Sequence, residues 1–355
     1  MGKATSLRGA MGVLAALAFT ALATVSAAAQ DAAKGEITMG SWGGGTSAAW
    51  RSIIKPFTDR TGIPVRVVEW PDPQPVIRAQ AGNPQYNAGV MNYVDAYRLA
   101  KAGMLQTFRP EQVPGISHIP PEYLLKDKDG AIIGVPVYFQ YYGIAYNVNE
   151  AKASDFESWD SLADPKWKGK LGIARSKDSA TYDLTLYAHI HGGSDTNIEP
   201  GIPLLRGLAA NSIAVTAAMA QMNTLLSRGE VAAVPYYSAR FWGPQALPNA
   251  SIVLPREGGL MLPYLVAVPK GSKHPAASLA WLNYVLEAQP QLTILHGSGY
   301  IPFNADAKPD GEDLGRLGMP VADLLKRLYE PDWGTVADHQ EERINLVEQI
   351  SAQVK

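Results

Sequence analysis

The chain has 355 residues, of which 46% are hydrophobic and 18% charged, enough apolar material for about two folded cores. Its 31 basic and 33 acidic residues leave a formal charge of −2, which offers no electrostatic footprint for nucleic acid. There is no cysteine, so disulfides, thiolate metal sites and thiol catalysis are excluded.

In chain order, the N-terminus comes first. Lys3 and Arg8 precede an apolar run from Ala10 to Val25, which ends in Ser26-Ala27-Ala28-Ala29 and the polar pair Gln30-Asp31. A charged start, an apolar middle and an A-x-A exit predict a secretory signal peptide over 1–29, cleaved near Ala29. The run is shorter than the roughly 20 residues of a membrane span, which argues against a retained anchor. The expected location is the periplasm.

Ile37-Thr38-Met39-Gly40 predicts a strand that runs into the glycine-rich turn Trp42-Gly43-Gly44-Gly45. Trp50, Ile53, Ile54 and Phe57 then recur at helical spacing, with Thr46 or Ser47 as the cap. A second strand over 65–70, a helix over 75–81, a third strand over 88–91 and a helix over 95–102 follow. Strand-helix alternation at this spacing predicts a mostly parallel α/β sheet. Extended stretches are expected over 131–137 and 143–147, and a helix-then-loop segment from Trp159. A second α/β series opens at Leu171, with helices over 179–189, 202–210 and 217–228 and a strand over 231–234. Residues 262–268 are extended again. The C-terminal third reads as helical over 275–287, 321–329 and 338–354.

Several polar and aromatic clusters fall just after predicted strands, where ligands of open α/β sheets bind. Trp42, Gly43 and Gly44 bring backbone and a helix N-terminus close to a ligand, or form a capped turn. Asn92, Tyr93 and Asp95 face the mouth of a cleft, or Asp95 caps the next helix. Asp72 reads as a turn residue. Tyr138, Gln140, Tyr141 and Tyr142 form an aromatic stretch that touches a ligand or packs between lobes. Arg175, beside Asp178 and Ser179, forks onto a carboxylate or phosphate, or is a solvated arginine next to a capping serine. Tyr236, Tyr237, Ser238 and Arg240 are either aromatic walls for an organic solute or, in the tandem tyrosines, hard oxygen ligands for ferric ion. Glu257 precedes Gly258. His189 and His191, two apart, diverge on a helix. Asp127-Lys128-Asp129-Gly130 lacks the acidic twelfth position of a calcium loop and reads as a hairpin turn. No G-x-S-x-G, H-E-x-x-H or P-loop occurs.

The order of landmarks resembles the type II periplasmic solute-binding proteins of ABC importers, in the branch of polyamine, ferric-ion, thiamine and phosphonate binders. The matching stretches are Ser41-Trp42; Phe57-Thr58-Asp59-Arg60-Thr61-Gly62-Ile63-Pro64-Val65; Gly103-Met104-Leu105; Gly134-Val135-Pro136; Gly143-Ile144-Ala145-Tyr146-Asn147; Ser158-Trp159-Asp160-Ser161-Leu162; Arg228-Gly229-Glu230-Val231-Ala232; Pro255-Arg256-Glu257-Gly258-Gly259; and Val268-Pro269-Lys270-Gly271. The resemblance implies an α/β fold of two lobes, a hinge of two crossings and a ligand cleft. Lobe one would hold 36–140 and 261–305, and lobe two 141–260 and 306–355. The crossings would fall near Gln140-Tyr141-Tyr142 and Glu257-Gly258-Gly259, and the lobes would close on a ligand. Polyamine binders of this branch carry a tryptophan and an acidic residue after the second crossing, and Leu260-Met261-Leu262-Pro263-Tyr264 has neither.

The expected function is therefore capture of a small charged organic solute for a membrane permease, with a slight lean to a carboxylate or phosphonate. The expected ligand contacts are Trp42, Gly43, Gly44, Asn92, Tyr93, Asp95, Tyr138, Gln140, Tyr141, Arg175, Ser179, Tyr236, Tyr237, Arg240 and Glu257. No catalytic residue, metal or cofactor is expected, and the protein is expected to be a monomer. The alternatives are a ferric-ion binder using Tyr236 and Tyr237, and an exported enzyme on the same fold.

Overall fold

The computed structural model describes residues 35–243, 246–352 and 354. The signal-peptide segment lies outside the described residues. Twelve strands form one sheet: β1 Ile37–Ser41, β2 Val65–Glu69, β3 Ala88–Asn92, β4 Leu105–Gln106, β5 Val135–Asn147, β6 Leu171–Ile173, β7 Ser212–Val215, β8 Ala233–Tyr237, β9 Ala250–Val253, β10 Gly259–Pro269, β11 Ile301–Pro302 and β12 Leu328–Tyr329. The main path runs β2-β1-β3-β10-β5-β8-β6-β7. β2, β1 and β3 are mutually parallel at one end, and β8, β6 and β7 at the other. Each end is thus an open parallel unit with helices packed on it.

The middle is different. β5 and β10 are long, antiparallel and paired from Tyr142–Leu260 to Val135–Val266. The first part of β5 meets β11, and the second meets β8 and β9. The two units are therefore joined by a pair of continuous strands, both buried except at the half-buried Tyr141. The extended stretches expected over 131–137 and 143–147 meet in one strand of 13 residues that begins only at Val135, with residues 131–134 before it. Its run of alternating aromatics satisfies both faces, so no residue inside it marks a break.

Local corrections have clear causes. The helix read through Trp50 and Phe57 is two helices, Gly45–Ser52 and Ile54–Thr61, bent at Ile53. Its cap is Gly44, at φ 66°, and Thr46 and Ser47 lie inside the first turn. The helix expected over 179–189 begins as a π-turn, Ser179–Asp183, before Leu184–Ile190. The helix expected over 321–329 ends at Leu325, and Leu328–Tyr329 joins β10 as a strand.

The C-terminal stretch packs on both units, not on one. Helix Trp333–Asp338 lies against helix Tyr93–Lys101 beside β3, while helix Gln340–Ser351 lies against the π-turn and helix Ile202–Asn211 beyond β6. Gln340 sits at the passage: Arg98 donates to its Oε1 at 2.7 Å, and its Nε2 donates to Thr181 at 2.9 Å.

Candidate functional site

A cavity of about 360 Å³ lies between the two units. Its walls come from the carboxyl ends of six parallel strands. After β1 come Trp42, Gly43 and Thr46; after β2, Trp70, Pro71 and Asp72; at the end of β3 and after it, Asn92, Val94 and Asp95. The facing wall holds Arg175, Lys177, Asp178, Thr181 and Tyr182 after β6, Ala217 to Met219 after β7, and Tyr237 and Arg240 at and after β8. Gln140 of β5, Tyr264 of β10, Tyr300 and Gln340 close the floor.

The aromatic surfaces are fixed from behind. Trp42 meets Tyr264 edge-on at 5.7 Å, and Tyr182 meets Tyr237 edge-on at 5.9 Å. Tyr264 accepts from Gln140 Nε2 at 2.8 Å, and Tyr300 shares a 2.7 Å hydrogen bond with Thr46. Trp70 lies over Gly40 and Gly89, where a Cβ on either strand would fall inside its ring.

The charged groups form two networks. Asp95 is 1% exposed, and both its oxygens are engaged: Oδ1 by Gln74 Nε2 at 2.7 Å and Oδ2 by Asn92 Nδ2 at 2.8 Å. Lys177 reaches across from the facing wall and sets Nζ 3.1 Å from Asp95 Oδ1 and 3.1 Å from Asp72 Oδ2. Burial works to lower the pKa of this ammonium, but Asp95 and Asp72 outweigh it and hold it above ordinary lysine. Arg175 grips Asp178 with two hydrogen bonds of 2.7 and 2.9 Å. Burial opposes its charge too, and Asp178 again more than compensates. Arg240 has no carboxylate partner among the described residues.

Of the residues expected to meet a ligand, Trp42, Gly43, Asn92, Asp95, Gln140, Arg175, Tyr237 and Arg240 line this cavity. The others lie off its wall. Gly44 is the helix cap. Tyr93 turns inward and donates to the Tyr123 carbonyl. Tyr138 is buried behind the floor, stacked on Tyr300 at 4.3 Å. Tyr141 falls on the face of β5 opposite to Gln140, as strand alternation requires, and burial pushes its phenol up to about 12. Ser179 is buried in the π-turn. Glu257 turns away to Ser158, which donates to it.

The tandem tyrosines are separated by the same alternation. Tyr236 is wholly buried and donates to Asn223 Oδ1, while Tyr237 faces the cavity. Burial raises both phenols above their ordinary value. One phenol facing the cavity does not make a phenolate pair. Asp72 is the cap of helix Pro73–Ala79, and Asn92, not Asp95, caps the helix that follows β3. The described residues that bring three possible metal ligands within 4.8 Å are His296, Asp310 and Asp313, which lie outside the cavity lining. Two of these are exposed, and Asp310 is occupied as a helix cap.

Lys177, Trp70, Tyr182, Tyr264, Tyr300 and Gln340 are lining residues that the sequence reading passed over. Lys177 and Tyr182 follow a predicted strand, so position alone could have flagged them. Tyr264, Tyr300 and Gln340 come from remote segments and carry no local signal.

Comparison with known proteins places this geometry. Residues 52–314 match the family described as bacterial extracellular solute-binding protein. The chain is 24% identical over 293 residues to spermidine/putrescine-binding periplasmic protein 1 of Haemophilus influenzae, covering 79% of this chain and 80% of that one. It is 23% identical over 302 residues to iron uptake protein A1 of Synechocystis, covering 78% and 82%. Its fold is that of the periplasmic binding protein AfuA of Actinobacillus pleuropneumoniae, solved with fructose-6-phosphate, at a TM-score of 0.72, 18% identity and coverage of 90% and 99%. The two parallel units, the paired crossing strands and the cleft at their strand ends are the two-lobe fold of these binding proteins, and the chain belongs to the bacterial extracellular solute-binding proteins.

Proposed function

We propose that this chain is the periplasmic receptor of an ABC importer that holds a small organic solute bearing an anionic group and hands it to a membrane permease. In this reading the protein is exported by a leader over 1–29, works as a monomer and breaks no bond. The lobes divide at Gln140–Tyr142 on β5 and at Glu257–Gly259, where β10 begins. The observation that carries the anionic choice is Arg240, a guanidinium on the cavity wall with no carboxylate partner among the described residues. A guanidinium fork in a partly dry cleft is suited to a carboxylate or phosphate. The aromatic walls supply apolar contact around it.

Two facts weigh against the alternatives. Tyr236 and Tyr237 point to opposite faces, which disfavours ferric ion. Among the described residues no serine or histidine lines the cavity, and its threonines are bonded to Tyr300 and Gln340, which disfavours a hydrolase of the Ser–His kind. The test is a thermal-shift screen of the mature protein against organic acids, phosphonates, sugar phosphates, amino acids, polyamines and ferric ion, with chromatography of each incubated solute. A solute at a hundred times its Kd should stabilise by about 2.7 kcal/mol and be recovered intact. Failure of every anionic solute, or recovery of a converted product, overturns the reading.

A further inference from the structure

Lys177 does what a free amine ligand would do. Its ammonium sits between two carboxylates contributed by the opposite wall, at 3.1 Å from each. Every oxygen of this acidic pair accepts at least one hydrogen bond. Asp72 Oδ1 accepts from the Gln74 backbone at 2.9 Å, Asp95 Oδ1 from the Gln74 side chain, and Asp95 Oδ2 from Asn92. The lysine backbone is held between Arg175 and Asp178, which grip each other, so the side chain is aimed.

We propose that Lys177 is a tethered ammonium that fills the acidic subsite of the cleft and so sets specificity against free diamines and polyamines. The inference rests on the reading of the cleft as a solute site. A cation buried in such a cleft needs paired counter-charge, and both carboxylates are taken. A competitor on a short tether acts at an effective concentration of at least about 1 mM. A free amine must displace that arm before it can pair there, so its apparent affinity falls by the arm's own occupancy ratio, on the order of tenfold. The subsite keeps one net negative charge, the Arg175–Asp178 pair keeps none, and Arg240 keeps one positive charge. The cleft that remains is built for a solute whose anchoring group is an anion. An added amine on that solute would be tolerated only beside Lys177, not in its place.

The experiment compares wild type, Lys177→Gln and Lys177→Arg for binding of putrescine and spermidine by calorimetry at low ionic strength. Lys177→Ala serves as a second neutral variant should Lys177→Gln not melt cooperatively. The expected result is that the neutral variants bind at least one of the amines ten or more times tighter than wild type. Lys177→Arg should still exclude both, and adding Asp95→Asn to the neutral variant should abolish the gain. Wild-type binding of either amine as tight as that of the neutral variants overturns the proposal, and so does a well-folded neutral variant that gains nothing. A wild-type protein that responds to no solute in the wider screen refutes the functional reading, but leaves a gain in the neutral variant as evidence for the tethered ammonium.

Discussion

Arg175 and Asp178 neutralise each other through two hydrogen bonds of 2.7 and 2.9 Å, three residues apart at the end of β6. Asp178 is 3% exposed, and the guanidinium is its charge partner in the wall. The two arginines of the cleft therefore have different tasks. Arg240→Ala should weaken an anionic solute by at least tenfold, because a charged contact in a closed cleft is worth on the order of 2–5 kcal/mol. Arg175→Ala should instead destabilise the fold by about 1–3 kcal/mol, through an orphaned buried carboxylate. Calorimetry and denaturant melts on both variants check this; equal loss of binding without loss of stability in Arg175→Ala would reverse the assignment.

Trp70 rests on the bare backbones of Gly40 and Gly89, one on each of two adjacent strands. Its ring is 3% exposed and its edge lines the cleft. Gly40→Ala puts a methyl group where the ring lies, and the ring must move toward the cavity. Overpacking of this kind costs about 1–3 kcal/mol. The expected outcome is a lower melting temperature together with weaker solute binding and an altered tryptophan emission. A variant that melts lower but binds as before would show that Trp70 serves the core alone.

The sheet ends were legible because they obey simple periodicities. Ile37 and Met39 alternate inward on β1, and Trp50 and Phe57 fall on buried helix faces. The strand ends then pointed to Trp42, Asn92, Asp95, Arg175 and Arg240. The middle of the sheet was not legible: Tyr138 to Tyr142 read as an aromatic crossing between two extended stretches, whereas it is the centre of β5. Strand alternation within β8 was available to separate Tyr236 from Tyr237, but two adjacent phenols invited a paired reading. Lys177 was missed for a different reason. A lysine next to a serine and an aspartate reads as solvated, and its partners Asp72 and Asp95 are distant in sequence. Only the closing of the two walls brings them together.

Asp183 is wholly buried in the second unit, and its Oδ1 has no hydrogen-bond partner. Burial pushes its carboxyl up to about 7. Burial, with Glu122 nearby, pushes Glu330 up to about 7 as well. An acid raised in the folded state is protonated there while the unfolded chain has already lost its proton. Stability should therefore fall as pH rises from about 4 to about 7 and then level off. Asp183→Asn removes one of these contributions. It should be close to wild type near pH 4 and more stable than wild type at pH 8, by an amount on the order of a few kcal/mol. Melts across this range check it, and an Asn variant with an unchanged pH slope would show that Asp183 is ionised in the fold.

Lys177 also joins the two walls mechanically. Its backbone follows β6, whereas Asp72 and Asp95 follow β2 and β3, so separating the walls must break both 3.1 Å contacts. The bridge is one-third exposed on the lysine side, which places it between a surface pair and a buried one. A contribution of about 1 kcal/mol changes the ratio of closed to open protein roughly fivefold. Solute-free protein should therefore be partly closed at low salt. Raising the ionic strength from about 0.05 to 0.5 M shortens the screening length below 10 Å and should open it. X-ray scattering should show a radius of gyration that grows with salt in wild type. Lys177→Ala should have the larger radius at every salt concentration and contract only when a solute is added. Equal radii for the two proteins at low salt would mean that the paired strands β5 and β10, not the bridge, set the resting angle.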